Sequence, residues 1–174
     1  MKGVKIEKLE KFDRDTLERL VEIYMDGYEG LREYGGEGVD YARGYLRWCW
    51  VKAKDGFFVA KVGGEIVGFI VCDRDWHSKY EERSVGAVHE FVIDSRFQGK
   101  GIGRALMDTC LRYLEESYDR IELWVGEKNE GAKHFYEEYG FRVVGKERIW
   151  RRMVLDLKKN EKNDKAKSRN TDGD

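Results

Sequence analysis

Residues Glu90–Leu106, EFVIDSRFQGKGIGRAL, pass within a few positions from strand to glycine loop to helix, and the rest of the chain is placed around them. Phe91-Val92-Ile93 is an apolar, β-forming run. Gly99, Gly101 and Gly103 then occupy every second position. From Ile102 the apolar residues Ile102, Ala105, Leu106, Cys110, Tyr113 and Leu114 follow a helical period. Glycines let backbone approach a ligand closely and adopt positive φ. The first N–H groups of a helix lack intrahelical acceptors and sit at the positive end of its dipole. A strand feeding such a loop is therefore an anion site suited to phosphate, and Lys100 and Arg104 flank it with positive charge.

The neighbouring residues decide which glycine loop this is. A P-loop requires Gly-Lys followed by Ser or Thr, and no such tripeptide occurs. A dinucleotide fingerprint requires a third Gly or Ala after Gly101-x-Gly103, where this chain has Leu106, and it belongs early in a βαβ unit. Gln98-Gly99-Lys100-Gly101-Ile102-Gly103 instead resembles the Q/R-x-x-G-x-G/A signature of the GNAT superfamily of N-acetyltransferases. Downstream, Asn129-Glu130-Gly131-Ala132-Lys133-His134-Phe135-Tyr136, followed by Gly140-Phe141, resembles the family's N-x-x-A-x-x-F-Y and G-F segment. One helix and one strand separate the two motifs, as in the family. The resemblance spans most of residues 1–157, is strongest from Val85 to Val144, and points to an archaeal-type member.

Taken in order, Val4–Leu9 alternates and reads as a strand, and Asp13 or Asp15 can cap a helix over Thr16–Gly27 with Leu17, Leu20, Val21 and Tyr24 on its buried face. A loop rich in glycine and acidic residues follows, then a helix over Asp40–Lys54 dense in Tyr41, Tyr45, Leu46, Trp48, Cys49 and Trp50. Phe57–Val62 and Glu65–Cys72 read as strands about a Gly63-Gly64 hairpin turn. Asp73–Ser84 reads as a polar loop, and Val85–Ile93 as the strand entering the glycine loop, whose helix extends to about Ser117. Arg120–Val125 is the next strand, and Asn129 caps a helix over Glu130–Tyr139 that ends at Gly140. Phe141–Gly145 and Ile149–Leu157 form a closing hairpin. This order predicts an α/β (α+β) domain with a mixed, mostly antiparallel sheet and helices on both faces. The resemblance implies the same fold, with the strands before the glycine loop and before Asn129 splaying to admit a pantetheine arm. The domain is expected to span residues 1–157; the charged tail, residues 158–174, lacks the apolar content to offset its ordering entropy and should be disordered.

Composition narrows the function classes. A length of 174 residues allows one domain with a sizeable core. Net charge is −1, so bulk attraction to nucleic acid or an anionic membrane is not expected. No apolar run reaches membrane-span length and MKGVKIEKLEKFD lacks signal-peptide form, so a soluble, cytoplasmic protein is expected. Cys49, Cys72 and Cys110 are far apart and form no C-x-x-C pair; buried free thiols are expected, with neither a disulfide frame nor a metal site. Charged residues make up 39%, nearly balanced, which suits surface ion-pair networks.

The resemblance implies an acetyl-CoA-dependent N-acetyltransferase acting by direct attack of an amine on the thioester in a ternary complex, without a metal. It assigns the cofactor cradle to Gln98, Gly99, Lys100, Gly101, Ile102, Gly103 and Arg104, the pantetheine contacts to the backbone of Phe91, Val92 and Ile93, and further contacts to Asn129 and Ala132. Tyr136 matches the tyrosine that lies near the cofactor sulfur and protonates the leaving thiolate. For the general base, His89 and Glu90 both stand on the strand before the loop. They face opposite sides of a regular strand, and a bulge would exchange them. Trp124 occupies the second place where relatives carry a base. Glu29, Glu33, Glu37 and Asp40 can attract a cationic acceptor. The partner is then a small amine or a protein α-amine or lysine, and a homodimer is compatible, with the Trp76–Tyr80 segment and the aromatic second helix as interfaces. The competing classes are a catalytically silent acyl-CoA-binding module and an ATP-binding scaffold.

Overall fold

The computed structural model describes residues 3–157, so the segment 158–174 lies outside the described residues. In chain order the elements are β1 (Val4–Lys8), α1 (Arg14–Gly27), α2 (Gly38–Ala53), β2 (Phe57–Val62), β3 (Glu65–Ser78), β4 (Arg83–Ile93), α3 (Ile102–Glu115), β5 (Arg120–Gly126), α4 (Glu130–Glu138), β6 (Arg142–Glu147) and β7 (Trp150–Asp156). They build a seven-stranded sheet in the order β1-β2-β3-β4-β5-β7-β6. Every pairing is antiparallel except β4 with β5.

Alternation along the central strands creates two cores. On β2, Phe57 and Val59 face one side with α1 and α2, and Ala60 faces the other with α3. On β3, Phe69 and Val71 share the first side, and Ile70 and Cys72 the second. Leu17, Leu20, Val21 and Tyr24 of α1 are buried as their spacing predicts, and Asp13 caps the helix by accepting from Thr16 N–H at 2.9 Å. Across the sheet Ile102, Leu106, Met107, Cys110 and Leu114 of α3 are fully covered. Each such Leu or Ile contributes about 1.5–3 kcal/mol by leaving water. The Gly63-Gly64 turn takes φ of 58° and 86°, the paired positive values of a tight hairpin. No helix among the described residues is long and apolar enough to cross a membrane.

Two expectations are corrected. Asp73–Ser84 is not a loop: β3 continues to Ser78, β4 begins at Arg83, and only the tip turns. Polar residues belong in this strand because distant groups satisfy them. Asp73 meets His89, Arg74 donates to the Tyr113 carbonyl at 2.9 Å, and Trp76 and Ser78 donate to Glu122. The cysteines are not all free: Cys72 on β3 and Cys110 on α3 form a disulfide with a Cα separation of 6.0 Å, and Cys49 is the free, buried one. Their separation of 38 residues carries no local signal; the sheet–helix packing brings them together.

The cross-link closes a long loop, so loss of it is expected to cost roughly 4 kcal/mol by chain entropy. Denaturant unfolding of the oxidised protein, the reduced protein and Cys110→Ala checks this. Oxidised and reduced chains unfolding at one midpoint would refute it.

Candidate active site

The site begins with a fault in one strand. On β3 and β4 the partners run Val71 with Glu90 and then Cys72 with Val88, so His89 is an extra residue on β4. The Tyr45 hydroxyl donates to the displaced His89 carbonyl at 2.8 Å. β4 and β5 are paired only from Gly86 with Ile121 to Val88 with Leu123. Beyond Val88 they part, although β5 stays paired to β7 through Gly126. A cavity of about 1280 Å³ occupies the opening, and Glu90, Phe91, Val92, Ile93, Trp124, Asn129 and Tyr136 all line it.

Glu90 sits at the centre and is 8% exposed. Burial pushes its carboxyl up to about 7, against the opposing pull of hydrogen bonds from Phe91 N–H and the Tyr28 hydroxyl. The Phe91 donor lies 3.1 Å from Oε1, and the Tyr28 hydroxyl bridges both oxygens at 3.1 and 3.2 Å. His89 also lines the cavity, but its Nε2 lies 2.7 Å from Asp73 Oδ2 and its ring is held edge to face by Trp48 and Trp76. Burial raises the Asp73 carboxyl, and hydrogen bonds from His89 and Asp75 N–H outweigh that and hold it below its usual range. The bulge thus brings both base candidates to one cavity, with Glu90 free of any cation and His89 tied to a carboxylate.

The glycine loop follows directly on Gln98, which lines the cavity. Gly99 and Gly101 take φ of 70° and 78°, and Gly101 caps α3 in the left-handed region. The first bond into the helix is Ala105 N–H to Gly101 O at 3.2 Å, so the N–H groups of Gly99, Lys100, Gly101, Ile102, Gly103 and Arg104 have no backbone acceptor among the described residues. That is a row of donors fit for an anion. Gly103 serves packing instead: a Cβ there would lie 3.3 Å from the Phe91 ring. Gln98 donates to Ile93 O at 3.2 Å, Lys100 to Arg96 O at 3.0 Å, and Arg104 pairs with Glu138 at 2.5 Å. All three are exposed, so these contacts exchange at little cost. Asn129 accepts from Ala132 N–H at 3.2 Å as the cap of α4, and that helix directs Tyr136 into the cavity. Burial, then the nearby Glu90 charge, pushes the Tyr136 hydroxyl well above its ordinary value.

The cavity is also lined from α1, α2 and the β3–β4 hairpin. Of the acidic residues expected there, Glu29 lines the cavity. Glu33 instead pairs with Lys128 and Asp40 with Arg43, and Glu37 is exposed just before α2. Glu122 is nearly fully buried and occupied: it accepts from Arg152, Trp76 and Ser78 at 2.9, 2.6 and 2.8 Å. His77 and His134 are exposed. Sequence reasoning missed Tyr45 as the support of the bulge and Trp48, Trp76 and Trp150 as cavity wall. The signal for part of this was present, since Tyr41, Tyr45 and Trp48 recur at helical spacing one position away from the buried Ala42, Leu46 and Cys49.

Comparison with known proteins agrees with this geometry. The model of the Acetyltransferase (GNAT) family matches residues 17–141. The chain is similar to an uncharacterized N-acetyltransferase of Methanocaldococcus jannaschii, at 38% identity over 152 residues, 87% of this chain and 67% of that one. A second uncharacterized N-acetyltransferase, from Archaeoglobus fulgidus, is 38% identical over 136 residues, 78% of this chain and 92% of its own. A crystal structure of a Pyrococcus horikoshii OT3 protein superposes with a TM-score of 0.84 at 64% identity, covering 89% of this chain and 99% of that one. An N-acetyltransferase from Thermoplasma acidophilum, solved in complex with coenzyme A, shares the fold with a TM-score of 0.72 at 19% identity, covering 89% of this chain and 99% of its own.

The buried carboxyl carries a stability cost with a defined sign. Its folded value of about 7 lies above the ordinary 4.5, so stability is full below pH 4.5 and is lost as pH rises toward 7. Glu90→Gln removes the cost and is expected to be more stable than the parent by roughly 3 kcal/mol at about pH 8, with the gap closing by about pH 4. Denaturant unfolding across that range measures it; a gap independent of pH would refute it.

Proposed function

The chain belongs to the GNAT family and is an N-acetyltransferase, and on that premise we propose that it carries the acetyl group of acetyl-CoA to a primary amine by direct attack in a ternary complex. The observation that carries this reading is the single cavity between β4 and β5. It holds Glu90 and Tyr136 and reaches Gln98, the residue that immediately precedes the row of loop N–H groups without backbone acceptors.

The residues present fit the cosubstrate. The N–H groups from Gly99 to Arg104 would hold its pyrophosphate, with Lys100, Arg104 and Gln98 released from their surface contacts to help. Phe91, Val92 and Ile93 would offer backbone to the pantetheine arm where β4 leaves β5, and Asn129 and Ala132 would border it from α4. When bound, acetyl-CoA supplies an activated thioester. Glu90 takes the proton from the incoming ammonium, since burial has set its carboxyl near the pH at which it must work. Tyr136 keeps its phenolic proton until a thiolate needs it. Part of what holds that proton is the Glu90 charge, and the charge disappears once Glu90 has accepted the amine proton. Base and acid are thereby coupled in one direction. His89 is the second base candidate, its ring oriented by the bond from Nε2 to Asp73.

Two outcomes follow, each read from product mass and acetyl-CoA binding. Tyr136→Phe is expected to bind acetyl-CoA as the parent does and to lose about 100-fold in turnover. The parent's kcat/KM should rise with pH and level off above about 7, the value of Glu90, and this limb should vanish in Glu90→Gln. A limb that survives Glu90→Gln but disappears in His89→Gln would assign the base to His89. No transfer to any amine, with acetyl-CoA still bound, would overturn the proposal.

A further inference from the structure

The acceptor end of the cavity has its own chemistry. Along α2 the rings of Tyr41, Tyr45 and Trp48 stack in sequence, with centroids 6.2 and 5.9 Å apart and planes within 16° and 14°. Trp76 faces them across His89, each indole 5.0 Å from the imidazole. Trp124 and Tyr80 continue the wall on the far side, 5.5 Å apart. Three of these rings, and Tyr28 beside them, have their polar atoms engaged by the protein. The Tyr45 hydroxyl is on the His89 carbonyl, that of Tyr28 on Glu90, that of Tyr80 on Glu147, and the Trp76 indole N–H on Glu122. Tyr41, Trp48 and Tyr80 remain 48%, 43% and 46% exposed, all of them on this cavity. What the cavity presents is therefore ring surface in contact with water.

Charge sorts the possible occupants further. Of the lining carboxylates, Glu122 is neutralised by Arg152 and Glu147 by Lys79, and Asp26 is held by the Ser95 N–H and hydroxyl beside the glycine loop, which leaves Glu90 for one amine and Glu29 at the rim. Lys79 and Arg148 line the hairpin side. With Lys79 paired to Glu147, a second ammonium reaching past the rings would approach Arg148. An apolar group against the exposed ring faces gains burial.

Resting on the acetyl-transfer reading, we infer that the acceptor is a primary amine borne close to a bulky apolar or aromatic group, packed against the exposed faces of the α2 ring ladder with its nitrogen toward Glu90. Two sources share this chemistry: a free arylalkylamine, and a polypeptide α-amine whose first side chain is large and apolar. Small amines and diamines are the classes it disfavours.

Tryptophans in the wall allow a binding test that needs no acetyl-CoA. Quenching of intrinsic fluorescence, supported by calorimetry, is measured for 2-phenylethylamine, ethylamine, 1,4-diaminobutane, and the dipeptide amides Phe-Gly and Gly-Gly. The phenyl-bearing probes are expected to bind about 10-fold or more tightly than their small or doubly charged counterparts. Trp48→Ala and, separately, Tyr41→Ala should remove most of that difference; both side chains are half exposed, so the fold should tolerate their loss. If Phe-Gly amide exceeds 2-phenylethylamine, the source is a polypeptide end; the reverse order identifies a free amine. Equal affinity for small and phenyl-bearing amines, a preference for the diamine, or discrimination unchanged in both variants would overturn the inference. Acetyl-CoA binding, followed by thermal shift on the same samples, reports separately on the cosubstrate reading, so either can fail alone.

Discussion

The site depends on one extra residue in a strand. Regular pairing of β4 to β3 would place His89 and Glu90 on opposite faces and leave β4 free to follow β5 to its end. Insertion of His89 as an unpaired position changes the direction of the strand. Glu90 then turns into the space that opens once the Val88–Leu123 pair has been made. The fault persists because other elements satisfy what it breaks. Tyr45 of α2 takes the orphaned carbonyl, and Glu90's own carboxylate takes the Phe91 N–H. The first two helices therefore do more than cover the sheet: one of their side chains holds the irregularity in place.

That arrangement sets stability against chemistry. A carboxylate with no cation beside it, buried among Tyr28, Tyr45 and Phe91, costs free energy at neutral pH, and nothing in the fold requires it there. The disulfide between β3 and α3 and the two apolar cores on either side of the sheet supply the surplus that tolerates it. The cross-link joins the strand that flanks the bulge to the helix that follows the glycine loop, so it ties the positions of the two together.

Much of this was legible in the sequence, and the limits have physical causes. The strand–loop–helix at Glu90–Leu106, the cap at Asn129 and the Gly63-Gly64 turn are local patterns, and each lies where its residues placed it. The element order was readable because alternation and helical period are local as well. The long β3–β4 hairpin was hidden because Asp73, Arg74 and Asp75 read as loop until their partners on β4 and α3 are known. The disulfide was hidden for the same reason, having no signature at its spacing. The sequence admits a bulge at His89 but does not require one, because the side chain that supports it lies on α2, forty-four positions away in the chain. The aromatic helix was seen as dense in rings; that three of those rings form a ladder facing Glu90 follows only from docking α2 against the sheet.

The two buried glutamates of the neighbouring strands show how position in the fold, rather than residue type, assigns a role. Glu122 and Glu90 both line the cavity, and both are nearly inaccessible. Glu122 lies in the paired part of β5, opposite Ala87, where β7 brings Arg152 to within 2.7 Å and β3 adds two donors. Its charge is consumed in joining three strands. Glu90 lies just past the last β4–β5 pair, where no neighbouring strand remains to deliver a cation, and its donors are a phenol and a peptide N–H. Those donors stabilise the charged form too weakly to offset burial, so the carboxyl rests near neutrality. The same parting of strands that opens the cavity thus withholds the ion pair, and a carboxylate buried at that point without a cation is made basic.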